Sequence, residues 1–158
     1  MRELKIVDAT ELATTYAAAH YVVAIDGDTL PLRVGQPAGD LEAYWPATRY
    51  AFITAWNPAS EPRSDAANHA ADALLVAQLD ATGAPRHAAW AQDPTGDWRE
   101  PGWLLADLGE DEVVRLAQEC GQAGVLPWQP GEPVRLLMLM PRPPTGAAAS
   151  AHTGWLGG

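Results

Sequence analysis

The sequence predicts a single α+β domain in which a mixed sheet carries two main helices, and three observations predict it. Short stretches with the two-residue period of strands alternate with longer ones at helical spacing. The segment Ala51-Phe52-Ile53-Thr54-Ala55-Trp56 is nearly continuous in apolar residues, as in a central strand covered on both faces. The 158 residues are enough for one hydrophobic core and too few for two ordinary ones. Residues 1–140 are assigned to that domain, and 141–158, rich in Pro, Gly and Ala, to a disordered tail.

In chain order, residues 8–16 read as a short helix with Asp8 or Thr10 as its N-cap and Leu12 and Tyr16 on its packed side. Residues 20–25 and 30–34 flank the turn Asp26-Gly27-Asp28 and form a hairpin. Pro31 cannot donate a ladder hydrogen bond, which puts its strand at an edge or makes it a strand start. A helical turn is expected around residues 41–44, then the central strand over 50–56. Ala67, Ala71, Leu74, Leu75, Gln78 and Leu79 share one face of a helix over 64–82, and Gly83 stops it. Strands follow at 86–91 and 103–106 around the turn Asp93-Pro94-Thr95-Gly96-Asp97. A second helix spans 110–120, with Glu110, Asp111 and Glu112 at its positive end and Gly121 after it. Residues 125–126 and 134–140 complete the sheet.

Composition narrows the function classes. The net charge of −10, with no run of Lys or Arg, repels a phosphate backbone, so nucleic acid is not an expected partner. One cysteine, Cys120, cannot form an internal disulfide, and no signal stretch is visible, so a cytoplasmic protein is expected. Residues 134–140 are far too short to span a bilayer, and no membrane partner is expected. The dinucleotide and P-loop glycine patterns are absent and no cofactor is assigned. His20, His69, His87 and His152 have no metal-ligand spacing, and no metal site is assigned. The oligomeric state is not assigned.

Polar residues gather where the central strand feeds the long helix: Thr54, Asn57, Ser60, Ser64 and Asn68. A strand end facing a helix start collects backbone N–H groups, amides and hydroxyls suited to a small polar or anionic ligand. Asn68 lies four residues after Ser64 and seven before Leu75, on the core-facing stripe. A buried carboxamide needs partners, which here are either the preceding loop or a ligand. Glu100, fixed in direction by Pro101, is the candidate general base, or else an ion-pair partner of Arg99 or Arg49. Gln122 either reaches the same pocket or caps the preceding helix, and Trp98 could wall the pocket. Cys120, at a helix C-terminus, reads as an inert thiol. Two functions remain open: binding of a small polar ligand near Asn57 and Asn68, or a regulatory module that docks another protein while these residues merely hold loops.

Ile53-Thr54-Ala55-Trp56-Asn57-Pro58 with Ser64 and Asn68, then Gly96-Asp97-Trp98-Arg99-Glu100-Pro101, then Gly121-Gln122 and the closing apolar strand resemble the bacterial domain-of-unknown-function family number 3293 over roughly residues 16–140. Gly102 and Trp103 depart from the Ser and smaller apolar residue expected there. The resemblance implies a compact α/β-type domain of a soluble bacterial protein, and no activity.

Overall fold

The computed structural model describes residues 2–58, 61–143 and 151–157, with residues 2–8 described by their backbone alone. Their elements are α1 (Arg2–Ala18), β1 (His20–Ile25), β2 (Asp28–Leu32), α2 (Gly39–Tyr44), β3 (Tyr50–Ile53), α3 (Asp65–Thr82), β4 (Arg86–Gln92), β5 (Arg99–Ala106), α4 (Glu110–Glu119), β6 (Gly124–Trp128), β7 (Leu136–Met138) and β8 (Thr153–Trp155). The strands form one sheet in the order β2-β1-β4-β5-β3-β6-β7-β8. It is mixed: β7 and β8 run parallel, the other pairs antiparallel. The protein is a single α+β domain.

β3 has both faces buried, as its unbroken apolar run requires. Tyr50 and Phe52 point into a core with Tyr21, Val23, Leu104, Leu126 and Trp128. Ala51 and Ile53 point the other way, against Leu105 and Val125 of the sheet, Leu75 and Leu79 of α3, and Val113 and Leu116 of α4. The first core lies on the concave side of a curled sheet. The chain after β2 meets the chain before β7 through the bridges Val34 to Val134 and Pro37 to Pro133, and α1 packs onto this side through Ala13 and Tyr16. Pro31 sits on the edge strand β2, where its missing N–H leaves no ladder bond unmade.

The helix ends follow local chemistry. The Ser64 hydroxyl accepts the Ala67 N–H at 3.1 Å as the N-cap of α3, and Gly83, at φ 72°, closes it in the left-handed region. Three acids open α4, and Arg115 ties its exposed face to Glu112 and Glu119.

Several boundaries depart from the sequence expectation: β2 covers Asp28–Leu32 rather than 30–34, β6 covers Gly124–Trp128 rather than 125–126, and β7 covers Leu136–Met138 rather than 134–140. α1 starts at Arg2 rather than near Asp8. β3 ends at Ile53 because the Thr54 hydroxyl takes over the hydrogen bonding there, donating to Pro101 O at 2.6 Å and accepting the Trp56 N–H at 3.1 Å. β5 starts at Arg99, four residues before Trp103, and runs the β4 pairing back to the hairpin tip. The disordered tail expected from Pro141 is replaced over 153–155 by β8. There Leu136 N–H donates to His152 O and Leu156 N–H to Met138 O, both at 2.9 Å, and the Trp155 side chain joins the concave core. Residues 144–150 of that expected tail lie outside the described residues.

Candidate functional site

Past β3 the backbone turns at Asn57, whose φ of 42° lies in the left-handed region that asparagine tolerates better than most residues. The turn aims both its N–H and its side chain at α3. Asn57 N–H donates to Asn68 Oδ1, Asn68 Nδ2 donates to Asn57 Oδ1, and Arg63 N–H donates to the same Asn57 oxygen, each at 2.9 Å. Asn68 is 1% exposed on the packed face of α3. Two backbone N–H groups therefore fix the orientation of both carboxamides, since each must meet an oxygen. With its oxygen committed to α3 and its loop, Asn57 presents Nδ2 outward and donates to Glu100 Oε2 at 2.8 Å.

Glu100 reaches that point from β5. Glu100, Gly102 and Leu104 alternate onto the concave face. At Gly102 a Cβ would stand 2.6 Å from Ile53 O and 2.8 Å from the Phe52 ring, so glycine lets that ring cross the strand beside Glu100. Glu100 is 8% exposed as a residue, and burial raises its pKa above the ordinary glutamate value, against the opposing pull of the Asn57 hydrogen bond. Its other oxygen, Oε1, accepts no hydrogen bond from the described residues.

Glu100 lines a cavity of about 350 Å³ between α1 and the concave face. Tyr16, Tyr21, Phe52 and Leu126 supply its apolar walls, and the small residues Ala19, Ala91 and Gly124 leave its space. The Tyr21 hydroxyl is spent on Tyr16 O at 2.6 Å. Thr54, Gln122 and Glu100 form the polar side, with Thr15 of α1 and Asp93 and Trp98 of the β4–β5 turn also on the lining. Asp93 organises that turn, accepting from the Thr95 hydroxyl and from Trp98 N–H; these bonds hold its carboxyl below the usual range. Gln122 follows Gly121, at φ 73°, and its Nε2 donates to Trp56 O at 2.9 Å. Its carbonyl oxygen accepts no hydrogen bond from the described residues.

The residues singled out from sequence thus separate into two groups. Thr54, Trp98, Glu100 and Gln122 line the cavity. Asn57 and Asn68 stand behind Glu100 and do not line it, Ser64 is occupied as the α3 cap, and Ser60 lies outside the described residues. Among the described residues Glu100 pairs with neither Arg99 nor Arg49. Arg99 instead lies over the Trp90 ring at 3.8 Å, and the partner of Glu100 is Asn57. Gln122 does not cap α4 with its side chain, which reaches across to the loop after β3. Tyr16, Tyr21, Phe52 and Leu126 were not singled out, because apolar residues around a cavity carry the same sequence signal as core. Burial pushes the Cys120 thiol up to about 11, in keeping with an inert group. No cluster of His, Cys, Asp or Glu among the described residues is placed to hold a metal ion, and no described helix is long and apolar enough to cross a membrane.

The family model described as "Protein of unknown function (DUF3293)" matches residues 53–125. The chain is similar to that family across the whole hydrogen-bonded assembly, from Thr54 through Asn57, Asn68 and Glu100 to Gln122. The α1 and β1 walls of the cavity and Leu126 fall outside the matched residues. No curated protein and no solved structure matches the chain.

Proposed function

We propose that this protein binds a small, largely apolar ligand in the concave cavity beside the β3–α3 junction, with the ligand's polar group held by Glu100. The carrying observation is a glutamate, 8% exposed as a residue, on the lining of an apolar cavity, with one carboxyl oxygen fixed by Asn57 and the other accepting nothing from the described residues. Glu100 Oε1 is not sealed off, since the fully buried side-chain polar atom left without a partner among the described residues is Trp155 Nε1, and so the Glu100 oxygen stays open to a ligand group in a setting where a hydrogen bond is worth more than in water. Apolar walls with a few convergent polar groups are the general character of small-molecule sites, and the volume is in their range. If the ligand is a substrate, Glu100 is the group to accept its proton, because a raised pKa suits a general base working near neutrality. The competing docking-module reading has less to rest on, since the large exposed apolar residues Tyr44, Leu74 and Trp98 belong to α2, α3 and the β4–β5 turn rather than to one element.

A fragment screen by ligand-observed NMR on the wild type and Thr15→Trp tests this. Thr15 is an exposed α1 residue on the lining, so an indole there plugs the cavity while disturbing little of the core. Fragments that bind the wild type and fail on the plugged variant support the proposal. Fragments that bind both alike, or none at all, refute it.

A further inference from the structure

We infer that the ligand of this cavity is a cation, an apolar or aromatic body carrying a protonated amine. The inference rests on the reading of the cavity as a binding site and names the chemistry that site selects. Among the described residues the ionisable groups facing the cavity from the packed elements are Glu100 of β5, Asp93 of the β4–β5 turn, and the phenols Tyr16 and Tyr21, and no Lys, Arg or His is on the lining. Tyr21 is kept neutral by burial, with its hydroxyl already donated to Tyr16 O. Glu100, more than nine-tenths buried, has as its partner among the described residues a neutral amide, which leaves the charge of its carboxylate uncompensated.

The neutral polar groups point the same way. Gln122 Nε2 donates one of its two N–H bonds to Trp56 O, and its carbonyl oxygen, which accepts nothing from the described residues, is open to a ligand donor. The Thr54 hydroxyl donates its proton to Pro101 O. Open acceptors, Glu100 Oε1 and the Gln122 carbonyl, thus gather on the polar side where the carboxylate has no cationic partner among the described residues, which matches an ammonium group with its three N–H bonds and opposes the charge of a carboxylate or phosphate. Trp98, Phe52 and the two tyrosines add aromatic faces and edges to the wall, a surface that favours both an apolar body and a cation held near it. The overall charge of −10 draws cations toward the protein at long range.

Phenethylamine, phenethyl alcohol and hydrocinnamate share one skeleton and present a cation, a neutral group and an anion. Their titration by ligand-observed NMR near neutral pH, against wild type, Glu100→Gln and Thr15→Trp, tests the inference. In the wild type the amine is expected to bind about tenfold or more tightly than the alcohol, and hydrocinnamate weakest of the three. In Glu100→Gln the amine and the alcohol should fall within about twofold of each other, with the alcohol's own affinity kept. An alcohol that binds as tightly as the amine, and is displaced by Thr15→Trp, overturns the cation and leaves the cavity standing. An amine preference that survives Glu100→Gln also overturns it, because it then reflects general attraction to an acidic protein, and so does loss of the alcohol in that variant. Binding of none of the three, or binding that Thr15→Trp does not weaken, brings down the cavity reading together with the inference.

Discussion

Asn57 Nδ2 donates to Glu100 Oε2 at 2.8 Å, joining residues 43 apart in sequence and fixing a carboxyl at the polar side of an apolar cavity. Asn57 holds that position because Asn68 occupies its other groups. The chain of contacts from α3 through the loop to β5 is a support for one side chain, and the predictions follow from what each link carries.

Asn68→Ala removes both the acceptor of Asn57 N–H and a donor to Asn57 Oδ1. The buried groups left behind should cost about 1–3 kcal/mol of stability in the absence of any ligand. Chemical denaturation of the variant measures this. A neutral result would mean that the loop finds other partners and that Asn68 does not hold it.

Asn57→Asp places a second carboxylate against Glu100. Two like charges at hydrogen-bonding distance share one proton, so the pair's folded-state affinity for protons rises and stability is lost as pH increases above the unfolded carboxylate range. The variant should lose at least about 1.4 kcal/mol more at pH 7 than at pH 4, the equivalent of one pKa unit. Parallel denaturation curves at the two pH values check it, and an equal loss at both would contradict the close approach.

For Glu100 the sign runs opposite to that of an ion-paired acid. Burial raises its folded pKa above the ordinary 4.5, so ionisation weighs against the fold increasingly as pH rises through the raised value, and not below the unfolded one. Glu100→Gln keeps an oxygen for Asn57 Nδ2 and removes the charge. It should therefore be more stable than wild type at pH 7, with the difference vanishing below about pH 4. Denaturation midpoints across that range decide, and a variant less stable at pH 7 would mark the charge as favourable to the fold.

Gly102→Ala brings a methyl group to 2.6 Å from Ile53 O and 2.8 Å from the Phe52 ring. The strand or the ring must move, at a cost of about 1–3 kcal/mol measured by thermal or chemical unfolding. An unaffected variant would mean that the floor of the cavity is looser than the packing implies.

The fold was legible in the sequence where period and composition agree. α3 and α4 follow from helical spacing between a capping residue or acidic start and a closing glycine, and β3 from an apolar run covered on both faces. The start of β5 was not legible because the site itself breaks the pattern. Glu100 and Gly102 occupy successive inward positions where alternation predicts apolar side chains, so Arg99-Glu100-Pro101-Gly102 has no strand period and the strand is legible only from Trp103. β8 was hidden in a Gly- and Ala-rich end, where the Trp155 side chain packs against the concave core. The polar cluster was partly legible: the burial of Asn68 follows from its place on the α3 stripe, whereas its partner Asn57 and the target Glu100 are brought together by tertiary pairing alone. The cavity had no signal, because it is space left by Ala19, Ala91 and Gly124 among residues that read as core.

The most direct measurement is the titration of the Glu100 carboxyl carbon by NMR, with and without phenethylamine. The midpoint is expected above the ordinary 4.5 in the free protein and should fall on adding the amine, because a bound cation favours the carboxylate. An ordinary midpoint that the amine does not move would contradict a buried, uncompensated carboxyl facing a binding cavity.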